Sequence, residues 1–199
     1  MFERELRDAA FVHRWGILRR SRNQNIAEHM YFVAIYAMEI AEFIDWPGDR
    51  YLLMQACLTH DLPEIWSGDI PGPTKHTLLN KAQTELFEND QMHQIFPSHL
   101  ARYQAHGEAK AILTMADRLE ATMFLADEWN AGNKSVGSGD NPTTPFGSNV
   151  ARLHVAILEL PCVDLLKSAL IRHVLTAIKV AADGTSRIYL GPSDEVASV

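Results

Sequence analysis

The apolar residues of this chain recur at steps of three and four, the period of a helix, and no convincing alternating series marks a strand. Ile26, Met30, Val33, Ala37, Ile40 and Ile44 trace one stripe. Asn25, with Glu28 three residues on, resembles a capping box at its start, and Pro47-Gly48 ends it. Asp49 can cap a second helix through Leu52, Leu53, Ala56, Cys57 and Leu58, apolar on most sides and so buried. Ser67 to Pro73 holds two prolines and two glycines and reads as a loop. A third helix is expected from Thr77 to about Met92, and a fourth from about Glu108 to Asn130 with Ile112, Ala116, Leu119 and Phe124 inward. Asn149 caps a helix through Leu153, Ile157 and Leu158. Pro161 interrupts it, and a last helix runs from Val163 to about Ala182, stopped by Asp183-Gly184. The fold class is all-α.

A chain of 199 residues suits one domain with a sizeable core. We read 1–199 as that domain, with the Gly-, Ser- and Asn-rich stretch 130–149 as a flexible loop and 193–199 as a frayed tail. No apolar run approaches the roughly 20 residues that span a bilayer, and the charged N-terminus lacks a secretory pattern, so a cytoplasmic protein with no membrane partner is expected. Cys57 and Cys162 sit among apolar neighbours and read as core residues of a reducing compartment. The net charge of −7 argues against nucleic acid as a partner. Arg14, Arg19, Arg20 and Arg22 are the local exception. They form either a solvated charged segment or a positive mouth for a small anion.

Four polar residues stand on apolar faces. His29 follows Ile26 by three and precedes Val33 by four. His60 follows Ala56 by four and Cys57 by three, with Asp61 adjacent. Asp117 lies four after Leu113 and four before Ala121. A lone inward His is more often a hydrogen-bonded core residue, and a lone Asp a cap or an arginine's partner. The four together would make a poor core, because buried carboxylates are costly unless paired or bound to a cation. Around a divalent ion the same set becomes favourable. Two nitrogens and two oxygens suit Co, Mn, Zn, Fe or Ni, and the residues do not choose among them.

The spacing His29…His60-Asp61…Asp117 resembles the defining motif of HD-domain phosphohydrolases. Arg14-Trp15, Asn25-Ile26-Ala27-Glu28-His29, His60-Asp61-Leu62-Pro63-Glu64, Gly68-Asp69-Ile70-Pro71 and Ala116-Asp117 resemble, more closely, the YfbR-type 5′-deoxynucleotidases over about residues 10 to 130. The resemblance implies a compact helical bundle, a homodimer or higher homo-oligomer, and metal-dependent hydrolysis of a deoxynucleotide phosphate. It implies His29, His60, Asp61 and Asp117 as metal ligands, Glu64 as the residue handling protons, and Arg14 as the residue orienting the phosphate. Trp15 then faces the sugar and disfavours ribose, Asp69 contacts the sugar with Ile70, Pro71 and Gly72 beside it, and Lys75 can reach further phosphates. Asp61 counts with Glu64 and Arg14 as catalytic, and Asp117 borders the substrate as well. Gly16 departs from the proline of close relatives, and the loop 130–149 is longer than theirs.

The expected reaction is release of phosphate from a deoxynucleoside 5′-monophosphate. A deoxynucleoside triphosphate triphosphohydrolase is the nearest alternative. Its extra phosphates would need cations such as Lys75, Arg19 and Arg20, or further Mg or Mn ions held by Glu64 and Asp69. A non-catalytic nucleotide-binding module is the alternative from another class. The full ligand set plus Glu64 counts against it.

Overall fold

The computed structural model describes residues 5–97 and 104–184, and the tail 193–199 lies outside the described residues. Those residues form helices without a strand; His13 and Asn25 make an isolated antiparallel bridge.

Helix α1 (Ile26–Phe43) begins where its cap predicts. The Asn25 side chain accepts from the Glu28 N–H at 2.8 Å, meeting a donor that the first turn leaves unpaired. Ile26, Val33, Ala37 and Ile40 are buried along the expected stripe. In α2 (Arg50–Cys57), Asp49 caps Tyr51 and Leu52 in the same way.

Helix α2 then stops short of His60. Bonds from Thr59 N–H to Ala56 C=O, from Leu62 N–H to Thr59 C=O and from Glu64 N–H to Asp61 C=O tighten the chain into three-residue turns. Pro63 has no N–H to extend an α-ladder. His60 and Asp61 therefore stand in a turn, and Glu64 opens a short helix, α3 (Glu64–Ser67).

Two further boundaries differ from expectation. The loop expected over 67–73 gives way at Gly72 to α4 (Gly72–Thr77), because a proline in a first turn forfeits only an N–H that has no helical partner. The helix expected from Thr77 is instead α5 (Lys81–Ile95), capped by Asn80. Its neighbour in sequence is α6 (Gly107–Asn130).

The stretch 130–149 divides. A 3₁₀ turn over Lys134–Val136 buries Val136, and α7 (Pro145–Leu158) starts before Asn149. Thr144 is the cap, accepting from Gly147 N–H with Pro145 in the first turn. The last helix, α8 (Asp164–Asp183), ends at Gly184 with φ +71°, a conformation that glycine adopts without a Cβ penalty.

Helix α6 packs against α1, α2, α7 and α8, and so is the axis of the bundle. Its i, i+4 row Ile112, Ala116, Glu120, Phe124, Glu128 is buried throughout, two carboxylates included. Glu128 is 1% exposed. It accepts from Ser21 N–H at 2.6 Å, Ser21 Oγ at 2.8 Å, Arg22 N–H at 3.2 Å and Asn133 Nδ2 at 2.7 Å. One acid thus holds the segment before α1 and the segment after α6 to the same helix.

Burial opposes the charge of Glu128, but the bonds from Asn133, Ser21 and Arg22 outweigh it and hold the carboxyl below its ordinary value of 4.5. A depressed folded-state value adds stability that is present above the unfolded value and lost as pH falls through the folded one. Glu128→Gln should therefore cost about 1–3 kcal/mol at pH 7. Thermal melts of parent and variant should differ at neutral pH and converge below pH 4.5; a gap independent of pH would contradict this account.

Candidate metal centre and cavity

The structure brings His29, His60, Asp61 and Asp117 together from α1, the turn after α2, and α6. One potential ligand atom from each of His29, His60 and Asp117 lies within 4.8 Å of the others. Asp61 Oδ2 is 3.3 Å from His29 Nε2, Asp61 Oδ1 is 3.4 Å from His60 Nε2, and Asp117 Oδ1 is 3.3 Å from His29 Nε2.

Each imidazole is oriented from behind. His60 Nδ1 donates to the Cys57 carbonyl at 2.8 Å, and His29 Nδ1 donates to Glu120 Oε2 at 2.5 Å. With Nδ1 carrying the proton, each Nε2 lone pair points to the shared space. Both Nε2 atoms are buried and make no hydrogen bond. Burial and Arg14 oppose a proton on His29, yet Asp117, Asp61 and Glu120 raise its pKa well above the ordinary value. Asp61 and Asp117, though buried, are held well below the usual carboxylate range, Asp61 chiefly by His60 and Asp117 chiefly by His29. The cluster favours positive charge at its centre. Two unpartnered nitrogens among carboxylates fit a divalent cation.

Arg14 and Trp15 sit on a loop closed at its base by Arg14 N–H to Gln24 C=O and Ile26 N–H to Val12 C=O. Arg14 Nη1 donates to Glu120 Oε2 at 3.1 Å. It also lies against His29 Nδ1, but two donors do not bond each other, and Glu120 is the acceptor both need. Trp15 stacks on Phe124 with centroids 5.4 Å apart, and its Nε1 donates to Gln24 Oε1 at 2.8 Å. Its backbone has φ +65°, unusual for a residue with a Cβ. Bonds on either side hold it there: Trp15 N–H to Asp69 Oδ2 at 2.8 Å, and Arg20 Nη1 to Trp15 C=O at 2.9 Å.

A cavity of about 510 Å³ opens onto this cluster. Arg14 and Trp15 line it, with Asp61, Glu64 and Asp117 on the side of the His–Asp cluster, Asp69, Ile70 and Pro71 on the loop leading into α4, and Gly72 and Lys75 in α4 itself. Apart from Arg19 and Arg20, every site residue expected from sequence reaches the cluster or this wall. Glu64 Oε2 is buried without a hydrogen bond. Burial, with Asp61 and Asp69 nearby, pushes its carboxyl up to about 9. Lys75 donates to Glu88 at 2.8 Å.

Of the arginine cluster only Arg14 lines the cavity. Arg20 serves Trp15 and Asn23, and Arg22 pairs with Glu28 and covers Phe124. Sequence reasoning missed Arg118, Arg152 and the Pro142–Pro145 turn, which complete the wall. It also missed Gln24 and Glu120, both buried. The signal for Glu120 was present, four residues after Ala116 and four before Phe124. A second hollow of about 550 Å³ between α1, α6 and α8 holds none of the expected site residues.

The chain resembles known proteins along most of this architecture. It is 28% identical over 140 residues to the 5′-deoxynucleotidase YfbR of Salmonella typhi, covering 61% of this chain and 69% of that one. It is 35% identical over 122 residues to a dATP triphosphohydrolase of cyanophage S-2L, covering 59% of this chain and 65% of the phage protein. Among solved structures, the cyanophage S-2L HD phosphohydrolase bound to dA and one catalytic Zn²⁺ superposes with a TM-score of 0.67 at 23% identity, over 90% of this chain and 98% of that one. An HD-domain phosphohydrolase of Listeria innocua does so with 0.68 at 16% identity, over 91% and 90%. At those identities the superpositions speak for the fold. A family model described as an HD domain matches residues 7–130, and with His29, His60, Asp61 and Asp117 clustered inside that span, the chain belongs to the HD-domain family of phosphohydrolases.

Proposed function

We propose that this protein hydrolyses the phosphate ester of a 2′-deoxynucleotide, acting as a 5′-deoxynucleotidase on deoxynucleoside monophosphates. The observation that carries the reading is the pair of buried, unpartnered Nε2 atoms of His29 and His60, set beside Asp61 and Asp117 at one side of a cavity that Arg14 and Trp15 also line. The similar deoxynucleotidase and dATP triphosphohydrolase support a deoxynucleotide as substrate.

His29, His60, Asp61 and Asp117 would hold one divalent transition ion, which when bound supplies Lewis-acid polarisation of a phosphoryl oxygen and lowers the pKa of water. Arg14 meets the phosphoryl group. Its guanidinium is fixed by Glu120 on one side and leaves other N–H groups for phosphate oxygens, where charge builds during transfer. Glu64 manages the proton, giving one to the leaving oxygen or taking one from water, from a buried carboxyl at the cavity edge. Trp15 presents its ring to the sugar. The stack on Phe124 and the bond to Gln24 make it a rigid wall, which excludes a 2′-hydroxyl better than a merely apolar pocket does. Asp69 and the Ile70–Gly72 backbone border the sugar from the opposite segment. A homo-oligomer acting in the cytoplasm is the assembly and setting we propose; no helix of the described residues is long and apolar enough to cross a membrane.

A second reading has its own observation. Arg118 and Arg152 line the cavity together with Lys75, and a triphosphate carries charge beyond the attacked phosphorus that such cations could meet. Arg19 and Arg20 do not line it. Arg118 lies 3.8 Å from Asp117 and Lys75 is paired with Glu88, so Arg152 is the cation best placed to respond to the extra phosphates. Monophosphate hydrolysis leaves it idle.

His60→Ala or Asp117→Ala should remove both activity and bound metal, read by metal analysis of purified protein, because the binding is shared among all four ligands. Retention of full activity after metal stripping would sink the metal-dependent reading. Glu64→Ala should keep metal while turnover falls about 10²- to 10⁴-fold; near-parental kcat would return Glu64 to a structural role. Phosphorus NMR of separate incubations with dAMP and dATP decides the substrate. Orthophosphate from dAMP is expected. Intact triphosphate from dATP with dAMP untouched would establish the second reading, and Arg152→Ala should then raise KM for dATP.

A further inference from the structure

Behind the metal ligands lies a buried polar layer whose members come from three segments. Glu120 of α6 is 4% exposed and Gln24, on the loop before α1, is fully buried. Glu120 Oε2 accepts from His29 Nδ1 at 2.5 Å and Arg14 Nη1 at 3.1 Å, and Oε1 accepts from Gln24 Nε2 at 2.6 Å. Gln24 turns its own Oε1 to Trp15 Nε1 at 2.8 Å, with Arg14 Nη1 at 3.5 Å. Glu120 Oε2 and Gln24 Oε1 thus face a metal ligand, a phosphate contact and a sugar contact of the proposed function, and the bond between Gln24 Nε2 and Glu120 Oε1 joins the two side chains.

We propose that Glu120 and Gln24 are positioning residues that form one relay, coupling ion binding at His29 to substrate contact at Arg14 and Trp15. The inference rests on the roles proposed for Arg14 and Trp15. It does not depend on which deoxynucleotide is hydrolysed.

The direction of each bond explains the coupling. A carboxylate accepting Nδ1–H fixes the imidazole tautomer, aims Nε2 at the ion and raises its basicity. The same oxygen takes a guanidinium proton from Arg14, so the ion ligand and the phosphate contact share one anchor. Neither can shift without disturbing the other. The second oxygen fixes the amide orientation of Gln24: because Glu120 accepts only, Gln24 must present Nε2 to it and Oε1 to Trp15. The Trp15 ring is thereby set by a chain of bonds that begins at His29.

Glutamine at 120 cannot satisfy this arrangement. Its amide has one acceptor and one donor end. If the oxygen faces His29 and Arg14, the NH₂ meets the NH₂ of Gln24; if reversed, it meets two donors. A buried donor facing a donor costs its lost solvation in full. Glu120 also balances Arg14, whose side chain is 12% exposed. Removing the charge leaves that guanidinium with less compensation.

The test uses the full chain stripped of metal and titrated with Mn²⁺ by calorimetry, beside binding of dAMP and dATP to the Mn²⁺-loaded protein. Glu120→Gln should raise the Mn²⁺ Kd about 10- to 100-fold, the range typical when a ligand's outer partner is lost. Should that variant fail to fold, Glu120→Asp keeps the charge but withdraws both oxygens, and the same rise is expected. Gln24→Met cuts the bond to Trp15 but leaves Glu120 on His29. It should leave the Mn²⁺ Kd within about twofold and weaken nucleotide binding about 5- to 10-fold, as one lost hydrogen bond would.

A purely structural role predicts lowered melting temperatures in the Glu120 and Gln24 variants with unchanged Mn²⁺ and nucleotide Kd, and that outcome overturns the proposal. Parent protein that binds Mn²⁺ but neither nucleotide would refute the deoxynucleotide reading and the substrate half of the relay with it. The Mn²⁺ titration of the Glu120 variants would still judge the metal half.

Discussion

The Glu120 carboxylate, buried beside His29 and Arg14, is the interaction on which the site depends. A lone charge in this interior would be untenable. It persists because three donors from two other segments close around it, and that requirement brings the loop before α1, helix α1 and helix α6 into one register. Eight residues later along the same helix Glu128 repeats the device for Ser21, Arg22 and Asn133. Between them the two acids fix the segment that carries Arg14 and Trp15, which has no regular secondary structure of its own to hold it.

That segment is also where the backbone departs from its ordinary conformations. Trp15 is left-handed, an arrangement costing on the order of 1–3 kcal/mol that survives only where surroundings over-determine it. Here they do so from every side: Asp69 on its N–H, Arg20 on its C=O, Gln24 on its ring nitrogen and Phe124 on its face. The consequence is a cavity wall that owes its shape to bonds and not to a helix. On the facing side, Pro142 to Pro145 borders the cavity, held by the Thr144 hydroxyl, which caps α7 by accepting Gly147 N–H and lies within bonding distance of the Ser138 and Asn141 carbonyls. Gly137, with φ +76°, lets the chain pass against Thr144 where a Cβ would approach to 2.2 Å.

Much of this was legible in the sequence for a definite reason. Helices advertise themselves by period and caps, so α1, α2, α6 and α8 lie close to where apolar spacing and Asn25, Asp49 and Gly184 placed them. His29 and Asp117 stood out because they interrupt apolar faces. Glu120 interrupts the same face as plainly, but one carboxylate on a stripe carries no hint of its partners, ninety-one and one hundred and six residues earlier. The segments 58–63 and 72–80 were read less well. There a proline and an Asx cap decide boundaries locally, against the pull of the apolar pattern.

The sequence by itself determined an all-α chain and singled out His29, His60, Asp61 and Asp117 as polar residues at odds with an apolar core. These follow from residue type and short-range period, which are local properties. Which arginines face the cavity, what orients each imidazole, and how Trp15 is held were decided only by the tertiary structure. Those outcomes depend on where a buried donor finds its acceptor, and a chain can bring that acceptor from any of its segments.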